Sequence, residues 1–167
     1  MGQSKLTTAA AGADWLSISP SEAGFTSDLE ALFDEAIAEK RVWKSVVGLL
    51  YGIALADGKV PPPEAPLFAS FPEYADIAAD PARNRWTIQN VLTMTMGTEW
   101  DELSVPYSDP TNSEIAMDMA PDRYRFIIGR PVVMERGKRW AYSGGATALL
   151  ARIIENGTGN HYTSSRA

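Results

Sequence analysis

Cysteine is absent from the 167 residues, and histidine occurs once, at His161. Disulfides, thiolate metal sites and cysteine nucleophiles are therefore excluded together. Positive charge is also scarce: 15 Lys and Arg stand against 21 Asp and Glu, a formal net charge of −6. No basic stripe offers a track for a phosphate backbone, so nucleic acid is not an expected partner. No apolar run approaches the ~20 residues that a membrane span needs. The opening MGQSKLTTAAAGADW lacks the apolar centre of a signal peptide. No membrane partner is expected, and the default compartment is cytoplasmic.

What is present is ordinary globular material, 45% hydrophobic and 22% charged, of a length that suits one domain. Residues 1–24 are small, polar and turn-prone, residues 160–167 carry no pattern, and residues 25–159 are expected to form the domain. Ser27-Asp28-Leu29-Glu30 has the form of a capping box ahead of an amphipathic helix. A second helix is predicted from about Trp43 to Asp57, ending at Gly58. Its stretch from Val46 to Leu55 has almost no polar face, which predicts a helix buried all round. After the proline-rich VPPPEAPLF, Thr87 is placed to cap a short helix. Another helix, opened by Ser113 or Pro121, should close before Pro131. Residues 132–143 read as extended around a turn at Arg136-Gly137, and a last helix, ATALLARIIEN, should end at Gly157. The inventory is helices on loops, with very little strand.

Three segments, KSVVGLLYGIALADGKV at 44–60, WTIQNVLTMTMGTEWDE at 86–102 and VVMERGKRWAYSGGATALLARIIENGTG at 132–159, taken together and in this order, resemble the serine β-lactamase-related family. That family includes class C β-lactamases, D-Ala-D-Ala peptidases, family VIII esterases and 6-aminohexanoate-dimer hydrolases. The resemblance implies a mainly α chain, the helical region of an α+β β-lactamase/transpeptidase-like fold with most of its antiparallel sheet missing. It implies ester, amide or lactam hydrolysis through an acyl-enzyme in the parent family, with neither cofactor nor metal.

In that chemistry a serine in Ser-x-x-Lys attacks a carbonyl, the lysine helps to activate it, and a tyrosine of a second motif relays protons. Lys44 matches the motif lysine and Tyr142 the tyrosine, with Gly144 where the second motif has asparagine. The nucleophile position falls on Arg41, whose guanidinium stays protonated and has no nucleophilic oxygen. No Ser-x-x-Lys, Lys-Thr-Gly or His-x-Gly occurs anywhere in the chain. The resemblance thus implies an internal deletion that removed the serine, a missing C-terminal portion, and a chain without acyl-transfer activity. A non-catalytic module that binds a ligand or protein, and a hydrolase using a replacement serine, are the rival expectations.

The inherited catalytic positions are then Lys44 and Tyr142, and the expected substrate-binding positions are Gly144, Trp100 and Tyr107. Lys44 Nζ and Tyr142 Oη should lie about 3 to 5 Å apart, directly bonded or one water apart. The expected ligand is a small ester, amide or lactam. Ser45 neighbours Lys44 at i+1 and so points to another face, and Ser143 reads as a turn residue. Glu99, Asp101 and Glu102 read as a solvated acidic loop, and His161 as a surface residue. Met94, Met96, Met117 and Met119 read as gap-filling core residues. A helix apolar on every side, in a chain short of sheet to cover it, also raises the expectation of self-association through an exposed apolar face.

Overall fold

Two helices, α1 (Trp43–Ala56) and α6 (Gly144–Thr158), lie against each other and set the frame. A computed structural model of the chain describes residues 43–159, which belong to one compact unit beginning at Trp43. The expected helix from Ser27, the segment 1–24, Arg41 and the tail with His161 lie outside the described residues.

α1 stops where expected. Gly58 takes the left-handed conformation (φ 65°), and Lys59 N donates to Ala54 O at 2.8 Å while Gly58 N donates to Leu55 O at 3.0 Å. These bonds satisfy the last carbonyls, and glycine allows the turn. The expectation that the helix is buried all round is corrected. Val47, Tyr51 and Ala54, spaced at i, i+4 and i+7, are buried, but Leu49 is 65% and Ile53 53% exposed. Tyr51 closes its face by donating to Pro61 O at 2.6 Å.

α6 is capped by Ser143, whose Oγ accepts from Ala146 N at 3.1 Å. Its buried stripe Ala146, Leu149, Leu150 and Ile153 faces the core. The helix does not end at Gly157. It runs to Thr158, with Gly159 (φ 71°) as its left-handed stop. Gly157 serves another need: a Cβ there would run into the carbonyl of Lys59. In a helix interior alanine ordinarily stabilises by about 0.8–1.0 kcal/mol over glycine. Gly157→Ala should instead lower stability by roughly 1–3 kcal/mol, because the obstacle is backbone and cannot swing aside. Urea unfolding monitored by circular dichroism measures the sign directly.

Between these helices the chain makes short elements. The prolines give way to two 3₁₀ turns, Leu67–Ser70 and Pro72–Tyr74, and then α2 (Ala75–Ala78). Thr87 starts α3 (Ile88–Leu92), with Asn90 Oδ1 accepting from Thr87 N at 3.1 Å. Trp86, Phe71, Leu67, Ile88 and Val91 form the heart of the core. In place of the one helix expected before Pro131 there are two. α4 (Ser113–Met119) is capped by Asn112, and α5 (Arg123–Gly129) by Asp122. Met96 and Met117 are buried and Met94 is partly so, whereas Met119 is 70% exposed.

Residues 131–141 run back along 94–99, with Val133 N donating to Gly97 O at 3.0 Å and Ala141 N to Met94 O at 3.0 Å. Gly97 (φ 79°) admits the carbonyl of Met134 where a side chain would stand. No strand forms among the described residues, only the isolated bridges Pro66↔Thr87 and Thr98↔Val132. The described chain is therefore mainly helical. No helix in it is long and apolar enough to cross a membrane.

Candidate functional site

Lys44 stands in the first turn of α1, where the positive end of the helix dipole disfavours an ammonium. Its side chain is only 15% exposed, so it needs carboxylates close by. Two are supplied. Nζ makes a short charge-assisted bond to Glu102 Oε1 and lies 3.6 Å from Glu114 Oε2. It also sits over the Tyr142 ring, 3.7 Å from the centroid, a favourable placement for a cation.

The loop that carries Glu102 is tied to α4. Ser113 N donates to Asp101 O at 2.9 Å, and Asp101 N donates to Ser113 Oγ at 2.9 Å. The buried Asn112 donates through Nδ2 to Val105 O at 2.7 Å and accepts Glu114 N at 2.9 Å. These bonds turn Glu102 inward and place Glu114, in the first turn of α4, beside it. Glu102 is 1% exposed, so it is not part of a solvated acidic loop. Its second oxygen accepts Trp100 Nε1 at 2.7 Å and Gly144 N at 2.7 Å. The latter bond holds a carboxylate against the N-terminus of α6, whose dipole favours it.

Gly144 and Gly145 are both needed for this arrangement. A Cβ on Gly144 would collide with the Glu114 carboxyl, and one on Gly145 would come within 2.6 Å of the Trp100 ring. The glycine pair of YSGG thus lets a carboxyl and an indole lie directly on the helix start.

The electrostatics follow from burial and pairing. Burial pulls the Lys44 ammonium down, but the Glu102 hydrogen bond and the charges of Glu114 and Glu102 outweigh it, and the net is raised above 10.5. Burial pushes Glu102 up, and the bonds from Lys44, Gly144, Glu114 and Trp100 bring it below the usual carboxylate range. Glu114 is pushed up to about 7, first by burial and then by sharing a hydrogen bond with Glu102. The two glutamates therefore differ sharply, one ionised and one titrating near neutrality.

The structure brings Lys44, Tyr142, Gly144 and Trp100 together around Glu102. Lys44 meets the Tyr142 ring, while its hydrogen bond goes to Glu102. Gly144 is buried, with its N–H used by Glu102. Tyr107 is 53% exposed and makes no hydrogen bond among the described residues; burial first, then the Glu102 charge, raises its phenol. Ser143 Oγ is used as the α6 cap, and Ser45 is exposed on α1. Sequence reasoning missed Glu102 and Glu114. The signal for an acid partner was Lys44 itself, an ammonium at the start of an apolar helix.

A cleft of about 510 Å³ opens beside this cluster, with Trp100, Glu102 and Tyr142 among its lining residues. No group of His, Cys, Asp and Glu suited to a metal ion occurs among the described residues. No protein-family model and no curated protein matches the chain.

Proposed function

We propose that this chain is a catalytically silent relative of the β-lactamase-related serine hydrolases, one that binds a small ester, amide or lactam ligand without turning it over. The helical region 43–159 then corresponds to the helical part of that α+β fold. The observation that carries the reading is the state of Lys44. Activating a serine requires a lysine that gives up its proton, and here Glu102 and Glu114 hold it as an ammonium. The resemblance also places Arg41 at the nucleophile position. What remains usable is the cleft next to the cluster, with aromatic walls suited to an apolar ligand.

Loss of a catalytic serine reduces turnover by about 10⁶ in serine hydrolases. The purified chain should therefore hydrolyse neither a chromogenic cephalosporin nor p-nitrophenyl butyrate above the buffer rate, and a fluorophosphonate probe should leave it unlabelled. Turnover that vanishes in Ser45→Ala or Ser143→Ala would overturn the reading in favour of a replacement nucleophile.

A further inference from the structure

Eight large apolar side chains are exposed among the described residues, and four of them, Leu103, Val133, Met134 and Trp140, line one cleft. Single exposed apolar residues need no explanation, but a set gathered on one concavity marks a binding surface. At about 510 Å³ the cleft is the size of a small-molecule site, which runs roughly 300–1,000 Å³.

The charges along its walls decide what kind of molecule suits it. Glu99 is held by Arg130 at 3.2 Å. Asp101 accepts the Ser104 hydroxyl and the N–H groups of Leu103 and Ser104, the latter two at 3.2 and 3.0 Å. Glu102 is neutralised by Lys44. Arg139 also lines the cleft, is exposed, and has no ion pair among the described residues. Glu99 and Glu102 are thus paired with cations and Asp101 accepts donors of its own loop, while the Arg139 guanidinium has no ion pair among the described residues. A guanidinium presents a planar fork of donors that matches a carboxylate.

We infer that the cleft selects amphipathic monocarboxylates, with an aromatic or aliphatic body against Trp140, Val133, Met134 and Leu103 and the carboxylate on Arg139. This rests on the binding reading above and adds the ligand's charge and shape to it. An ammonium compound of the same body meets a like charge at Arg139, while the carboxylate of Asp101 already accepts from Leu103 and Ser104 of its own loop.

Calorimetric titration with 4-phenylbutanoate, 4-phenylbutan-1-ol and 4-phenylbutylammonium in low salt tests the inference. The acid should bind about three- to tenfold more tightly than the alcohol, as expected for one charge-assisted contact, and the ammonium compound most weakly. Arg139→Gln should bring the acid down to the level of the alcohol and leave the alcohol unchanged. Trp140→Ala should weaken acid and alcohol alike. Both residues are exposed, so thermal melts of the two variants should coincide with that of the parent chain. Equal binding of acid and alcohol, or strongest binding of the ammonium, overturns the charge selection and leaves the binding reading standing. No binding of any of the three at millimolar concentration overturns the inference as well, and no binding of 4-phenylbutanamide or methyl 4-phenylbutanoate beside them overturns the binding reading too.

Discussion

Replacement of Glu102 by alanine is expected to lower the melting temperature by roughly 10–20 °C at neutral pH. The substitution removes the acceptor of three donors at once: Lys44 Nζ, Trp100 Nε1 and Gly144 N–H. Taking one partner from a buried ion pair costs about 3–5 kcal/mol, because the other charge is left in a site from which water is excluded. The orphaned indole and amide donors add to this, at about 1–3 kcal/mol each and not additively. Glu114 remains 3.6 Å from Lys44 and offsets part of the loss.

Glu102→Gln separates charge from shape. It keeps an oxygen for Gly144 N–H or Trp100 while losing the charge opposite Lys44, so its melting temperature should fall between parent and alanine variant. A double-mutant cycle with Lys44→Met should show a coupling above about 1 kcal/mol, since the two groups are in direct contact. A Glu102→Ala protein that melts within about 3 °C of the parent would mean that the cluster contributes little. Differential scanning calorimetry reads all five proteins.

Which parts of this arrangement could be read from the sequence follows from how local each signal is. The stop of α1 at Gly58 and the start of α3 at Thr87 depend on a few consecutive residues, and both were legible. Gly157 misled because glycine near a helix end usually marks the stop. Here it marks the close approach of another backbone, which only the tertiary packing reveals. The buried side of α1 was illegible for a different reason. With apolar residues all round, its sequence contains no polar stripe to mark the outside, and the contact with α6 chose Val47, Tyr51 and Ala54.

The site shows the same division. Lys44 and Tyr142 were marked by the pattern of the segments that carry them, and the structure sets one over the other. Glu102 lies 58 residues from Lys44 and 42 from Gly144, and no local periodicity links positions so far apart. Its neighbours Glu99 and Asp101 are exposed, so acidity alone could not single it out. What singles it out is the demand made by three donors, a property of the folded chain.

Glu114 gives the cluster a pH dependence whose sign can be worked out. Its carboxyl faces Lys44 from α1, Glu102 and Tyr107 from the loop, and Asp118 on its own helix. Its folded value of about 7 stands above the ordinary 4.5. Between those values the folded chain binds more protons than the unfolded one, so stability falls as pH rises. The contribution is fully present below about pH 4.5 and is lost as pH passes through about 7. Glu102 has the opposite sign, with a loss that begins only below its ordinary range, and Lys44 keeps its proton throughout. Discounted for the 28% exposure of the Glu114 side chain, the change from pH 5 to 8 is about 1–2 kcal/mol. Glu114→Gln carries no titrating group and keeps a donor for Glu102. It should match the parent chain near pH 5 and exceed its stability at pH 8 by about that amount. Urea unfolding of both proteins at half-unit steps measures the difference, in which all other titrations cancel. Parallel stability curves, or a variant less stable at pH 8 than at pH 5 by as much as the parent, would show that Glu114 stays ionised in the folded chain and that Lys44 is balanced by two full negative charges.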